Sequence, residues 1–252
     1  MTERVVQRSG AMTLSGNTIR TAPAERLRVD AVLLDIDGTL VDSNDAHAKA
    51  WKDVLDENGI EARLPELRRL IGMGGELLLE EVSGIAPASS RSKTIRDRRD
   101  VIFRERYLDE VRPQPGAHAL IEKLRARGFK LVAATSSAEE NVRPLLTIAG
   151  SAELETVSGD EVELAKPEPD VVRAALRKAG VNADRAVLIG DTPYDIEAGR
   201  KAGVAVIALR CGGWNDDALD GAIEVFDDPE DILKNWMQTP FRKSLADLDA
   251  PL

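Results

Sequence analysis

Four apolar residues, Ala31-Val32-Leu33-Leu34, run without a break into Asp35-Ile36-Asp37-Gly38-Thr39, so two carboxylates stand where a buried strand has to end. A continuous apolar run bounded by turn formers reads as a central strand of a parallel sheet, and such sheets bind ligands beyond the carboxyl ends of their strands. Residues two apart on an extended chain share a face, which places the Asp35 and Asp37 side chains together. At about 4 Å, two like charges repel by roughly 4 kcal/mol at an effective dielectric near 20. A divalent cation or a bound proton relieves that repulsion. The alternative is a simple strand-ending turn, in which Asp and Gly are common.

The same arrangement recurs twice. Ala186-Val187-Leu188-Ile189-Gly190 is a second short apolar run and ends at Asp191-Thr192-Pro193-Tyr194-Asp195. Thr192 and Asp195 have capping-box spacing and Pro193 suits a first helical turn, so Asp195 is read either as a cap or as a metal ligand. Asp191 precedes the cap and is the better ligand candidate. Phe129-Lys130-Leu131-Val132-Ala133-Ala134 reads as a third strand, stopping at Thr135-Ser136-Ser137 before a helix predicted over 138–149. Ser137 and Glu140 have capping-box spacing, which predicts a structural Ser137. Thr135, Ser136 and the free backbone N–H groups around them face the crevice, where a helix N-terminus favours a phosphate. In Lys166-Pro167-Glu168-Pro169-Asp170 the lysine precedes proline and is therefore presented from a stiff segment. Such an ammonium either pairs with a carboxylate and a phosphoryl oxygen or is a solvated loop lysine.

Taken in chain order, these four pieces resemble the motifs of the haloacid dehalogenase superfamily, over roughly residues 30–236. The resemblance implies a Rossmann-like, three-layer α/β core with a parallel sheet and an inserted all-helical cap. It implies that Asp35 attacks phosphorus to give an aspartyl phosphate and that Asp37 is the general acid and base. It further implies Mg²⁺ held by Asp35, the Asp37 backbone carbonyl and Asp191, with Asp195 in support, and a phosphoryl group bound by Thr135, Ser136 and Lys166. The dehalogenases lack the second aspartate, so Asp37 speaks for phosphoryl chemistry.

The expected boundaries are an extension over 1–27, a core over 28–43 and 113–238, a helical cap over 44–112 and a tail over 239–252. Within the cap, helices are predicted over 44–58, 65–70, 76–82 and 92–111. Helices over 170–179, 195–202 and 229–236 alternate with strands over 154–158, 204–208 and 222–225, as a covered parallel sheet requires. The segment from Asp42 to Trp51 is similar to the matching helix of the β-phosphoglucomutases, with His47 and Trp51 at their histidine and tryptophan. Their following loop is of Gly-Val-Ser-Arg type, whereas Gly72-Met73-Gly74-Gly75 looks more like that of phosphoglycolate phosphatases. His47 is read either as packing between cap and core or as gating the site, and Gly74 and Gly75 as substrate contacts or as a flexible turn. The basic stretch from Arg91 to Arg106 is read chiefly as a solvated face and secondarily as a site for a second substrate phosphate.

A formal charge of −10 argues against nucleic acid as a partner, and no apolar run is long enough for a membrane span. Cys211 is the only cysteine, which excludes an intramolecular disulfide and fits a reducing cytoplasm. Residues 1–27 lack the apolar centre of a secretion signal and read as a disordered extension, with an Arg-rich targeting segment second. The leading expectation is a Mg²⁺-dependent phosphatase, monomeric or homodimeric, acting on a small phosphorylated metabolite such as phosphoglycolate or a sugar phosphate. A sugar phosphate mutase and a catalytically silent binding protein are the alternatives.

Overall fold

The computed structural model describes residues 27–242. The chain begins with β1 (Ala31–Leu34) and, after the Asp-Gly-Thr turn, β2 (Val41–Asp42). Four helices follow: α1 (Asn44–Glu57), α2 (Leu64–Leu70), α3 (Gly75–Ser83) and α4 (Ser90–Ile102). The chain returns through β3 (Arg112–Pro113), which pairs antiparallel with β2. From there strands and helices alternate: α5 (Ala117–Ala126), β4 (Lys130–Ala134), α6 (Glu139–Ile148), β5 (Glu155–Val157), α7 (Asp170–Ala179) and β6 (Ala186–Gly190). They continue with α8 (Pro193–Ala202), β7 (Ala205–Leu209), β8 (Glu224–Phe226) and α9 (Pro229–Lys234).

Six strands form one parallel sheet in the order β5-β4-β1-β6-β7-β8. The alternation of β1 explains the three layers. Val32 and Leu34 join one core with α5, α6 and α9, while Ala31 and Leu33 join the other with α7 and α8. Both faces are covered, so the strands read as unbroken apolar runs. Because β4 and β6 flank β1, successive crossovers run to opposite sides of it and open a crevice at its carboxyl end. Residues 35, 135 and 191 each follow one of these three strands. Among the described residues, no helix is long and apolar enough to cross a membrane.

Three local expectations change. The helix predicted over 92–111 stops at Ile102 and passes into a π-helical turn, Phe103–Tyr107, then a 3₁₀ turn, Leu108–Glu110. The widened turn carries Phe103, whose ring stacks on His47 with centroids 4.0 Å apart. The β2–β3 pair was invisible because two residues per strand carry no periodicity. The tail predicted to begin at 239 is corrected in its first residues: Thr239 and Phe241 are buried, and the Phe241 ring meets Phe129 and Trp236, each at 5.7 Å between centroids. A lone aromatic gives no pattern to read, yet it closes the core beside α9. Residues 243–252 and all but Leu27 of the expected extension lie outside the described residues. Phe241→Ala should therefore lower the unfolding free energy by about 3 kcal/mol in urea denaturation, as for other buried aromatics; an unchanged midpoint would show that this residue does not seal the core.

Candidate active site

Lys166 is the centre of the site. Its Nζ lies 2.5 Å from Asp35 Oδ1 and 2.7 Å from Asp195 Oδ1, and the residue is 1% exposed. Three loops converge to hold it there. The Lys166 N–H donates to Ser136 Oγ at 3.2 Å, and its carbonyl accepts from the Gly74 N–H at 3.1 Å. The peptide bond to Pro167 is cis.

Asp195 caps its helix and also faces the site. Its Oδ2 accepts from the Thr192 N–H and hydroxyl, closing the capping box of α8, while Oδ1 faces Lys166. Asp191 is fully buried and accepts from Thr39 Oγ1 at 3.1 Å and Asn44 Nδ2 at 2.9 Å. The space around it is fitted: at Gly38 (φ 80°) or Gly212, a Cβ would overlap the Asp191 carboxylate. Asp35, Asp191 and Asp195 each offer an oxygen, all within 4.8 Å of one another. Such an all-oxygen set suits a hard divalent cation.

One ammonium faces these three buried carboxylates, and their acidities follow. Burial pushes Asp35 well above the usual carboxylate range, Lys166 opposing the shift and the other three aspartates adding to it. Burial and then Asp195 push Asp191 up to about 7, against the hydrogen bonds from Asn44 and Thr39. Lys166 is raised because Asp195 and Asp35 outweigh its burial.

Asp37 faces another way. Its Oδ1 accepts from Ser43 Oγ and His47 Nε2, both at 2.6 Å, and its Oδ2 accepts from Ser137 Oγ at 2.5 Å. Arg99 donates to His47 Nδ1 at 2.9 Å, so the ring proton belongs on Nε2 and points at Asp37. Burial, with Arg99 adding to it, lowers the His47 pKa despite Asp37 and keeps the ring neutral. For Asp37 burial alone would act upward, but His47 and the Ser137 and Ser43 hydroxyls hold it well below the usual range.

The structural reading of Ser137 is thereby corrected. Helix α6 starts at Glu139 with Ala138 at its N-cap, which frees the Ser137 hydroxyl for Asp37. Thr135 Oγ1 accepts from the Ser137 N–H at 3.0 Å and lies 3.5 Å from Asp37 Oδ2. Ser43, Asn44 and Thr39 were missed as site residues, for nothing local in the sequence marks a polar side chain whose partner lies on another strand. A cavity of about 570 Å³ opens above Asp35 and Asp37, with His47, Ser136 and Gly75 in its wall. Gly75 begins α3 against Trp51, where a Cβ would come to 3.0 Å from the indole. His47 stacks on Phe103 and contacts Asp37.

A family model for haloacid dehalogenase-like hydrolases matches residues 29–203. The chain is 34% identical to a phosphoglycolate phosphatase of Rhodospirillum rubrum over 222 residues, which is 83% of this chain and 91% of that one. Among solved structures it is similar to a hydrolase from Pseudomonas syringae (30% identity, TM-score 0.78, covering 82% of this chain and 98% of the other). It shares its fold with a β-phosphoglucomutase from Clostridium difficile (18% identity, TM-score 0.73, covering 84% and 97%).

The acidities make a test of the metal site. The folded pKa of Asp191, about 7, exceeds an unfolded value of about 4, so the metal-free folded protein retains an extra proton in that window. That contribution is present below the unfolded value and is lost as pH rises through 7. Asp37, shifted the other way, acts only at more acid pH. With chelator, Tm should fall between pH 5.5 and 8; a divalent cation should raise Tm at pH 8 and flatten the slope. Parallel profiles with and without the cation would contradict metal binding at these carboxylates.

Proposed function

The chain belongs to the haloacid dehalogenase-like hydrolases and is a phosphatase, and from that footing we propose that it cleaves a small phosphorylated metabolite of the phosphoglycolate kind through an aspartyl phosphate on Asp35. The observation that carries this reading is that Asp35, which lines a cavity of about 570 Å³, large enough for a metabolite and little more, is paired with the buried Lys166. The R. rubrum relative, named as a phosphoglycolate phosphatase and matched over nearly its whole length, supports the substrate class.

In the proposed reaction an Asp35 oxygen attacks phosphorus and the bond from phosphorus to the leaving oxygen breaks. Lys166 opposes the burial that favours a protonated Asp35 and, with Thr135 and Ser136, balances charge on the phosphoryl oxygens, the dominant need in such transfers. Asp37 supplies the proton to the leaving alkoxide. In the second half Asp37 takes a proton from water, which attacks the same phosphorus and frees phosphate and the Asp35 carboxylate. His47, Ser43 and Ser137 hold Asp37 in the base form. The acid form requires these contacts to yield when a substrate enters. Asp35, Asp191 and Asp195, with the Asp37 carbonyl, would hold Mg²⁺, which when bound neutralises the carboxylates and the transferring group.

A mutase is the second reading, favoured by the likeness of the His47 to Trp51 segment to the β-phosphoglucomutases. With Mg²⁺, the purified protein should release inorganic phosphate from phosphoglycolate, and Asp35→Asn should lower kcat by at least about a thousandfold with the fold intact. Full activity in that variant would remove the nucleophile, and isomerised sugar phosphate without free phosphate would replace the hydrolase by the mutase.

A further inference from the structure

Four cationic side chains, Lys93, Arg96, Arg99 and Arg104, wall the cavity from α4 and the turn after it. Three are committed. Lys93 lies 2.7 Å from Asp97, and Arg104 lies 2.7 Å from Glu140 and donates to Asn141 at 3.1 Å. Arg99 pairs with Asp100 at 2.6 Å and donates to His47, and its guanidinium lies over Trp51 and Phe103 at 5.3 and 5.8 Å. Its Nε is unpaired, but its charge and both its terminal nitrogens are engaged.

Arg96 differs. Among the described residues it makes no hydrogen bond, and the one carboxylate within 4 Å is Glu76, at 3.9 Å. Its Nε is buried without a partner. Arg96 packs beside Gly75: a Cβ there would be tight against Trp51 at 3.0 Å and in ordinary contact with Arg96 Cδ at 3.4 Å. A guanidinium is thus held at the wall of a substrate-sized cavity with its hydrogen-bonding edge unfilled. Its terminal nitrogens also make no hydrogen bond and the side chain is partly exposed, so a ligand oxyanion that accepts from them gains charge-assisted hydrogen bonds.

We propose that Arg96 is a specificity residue that receives a carboxylate on the leaving group of the phosphomonoester, an inference that rests on the phosphatase reading. The planar fork of the guanidinium matches a carboxylate with two parallel hydrogen bonds. Charge selects a monoanion: Arg96 is the one uncommitted cation of the four, and Glu76 beside it opposes the second negative charge of a phosphate dianion. The same balance disfavours the bisphosphate that a mutase has to retain. Glu76, too distant to hydrogen-bond, steadies Arg96 and gives way to the substrate carboxylate.

Phosphoglycolate and ethyl phosphate have similar size and differ in the carboxylate, so the ratio of their kcat/KM values reads this contact. Arg96→Gln should lower kcat/KM for phosphoglycolate at least about tenfold, chiefly through KM, and leave ethyl phosphate within about twofold. Arg96→Lys, with charge but no fork, should fall between. Equal losses on both esters, or an unchanged ratio, would overturn the proposal. If the unmodified protein cleaves neither ester, the phosphoglycolate reading fails, and calorimetric binding of 3-phosphonopropionate and propylphosphonate with Mg²⁺ present still decides the matter. Tighter binding of the carboxylate that Arg96→Gln abolishes would uphold Arg96, and equal binding of the two in the unmodified protein would overturn it.

Discussion

A buried ammonium between two buried carboxylates is the constraint on which the rest of this structure depends. Asp35 follows β1 and Asp195 lies in the first turn of α8, and Lys166 from the segment before α7 bridges them at 2.5 and 2.7 Å. Deleting one partner of such a buried set costs about 3–5 kcal/mol, because the remaining charges lose their compensation. The sheet order explains why three motifs far apart in sequence meet: β1 lies between β4 and β6, so their carboxyl ends share one rim. The backbone of Lys166 is tied both to Ser136 after β4 and to Gly74 at the start of α3, which links the charge centre to the helical insertion above it.

Much of this was legible because strand ends are conspicuous. Apolar runs of four or five residues that stop at Asp, Thr or Gly predict where β1, β4 and β6 finish, and hence where Asp35, Thr135 and Asp191 emerge. The proline after Lys166 marked it as presented, although nothing in the sequence revealed that its partners would be Asp35 and Asp195 together. Ser137 was misread for a physical reason. Spacing of three residues is necessary for a capping box but does not fix where the helix starts, and a carboxylate 100 residues away in sequence took the hydroxyl. Phe241 and the two-residue strands were hidden because one or two residues carry no period. The basic stretch in α4 was ambiguous because pairing there depends on distances to other helices, which left Arg96 indistinguishable from its neighbours.

The two halves of the site divide the chemistry. Below, the aspartates and Lys166 are nearly all fully buried, so their charges act at full strength and accept a cation or protons to balance them. Above, the helical wall is polar, partly exposed and internally paired, which suits recognition of whatever is attached to the phosphoryl group. Asp37 sits at the boundary, bound to Ser43 at the N-cap of α1, to His47 within α1 and to Ser137 from the core. Its proton-transfer role in the proposed reaction would therefore be coupled to how the two parts meet.

Covalent capture at Asp35 tests the central claim most directly. The protein is mixed with Mg²⁺ and phosphoglycolate, quenched in acid during turnover and reduced with borohydride, which converts an aspartyl phosphate to homoserine; peptide mass spectrometry then locates the change. Homoserine at position 35 alone, dependent on both metal and substrate, is the predicted result. Homoserine at position 37, or steady phosphate release with no modified aspartate under conditions that trap acyl phosphates, would contradict the account.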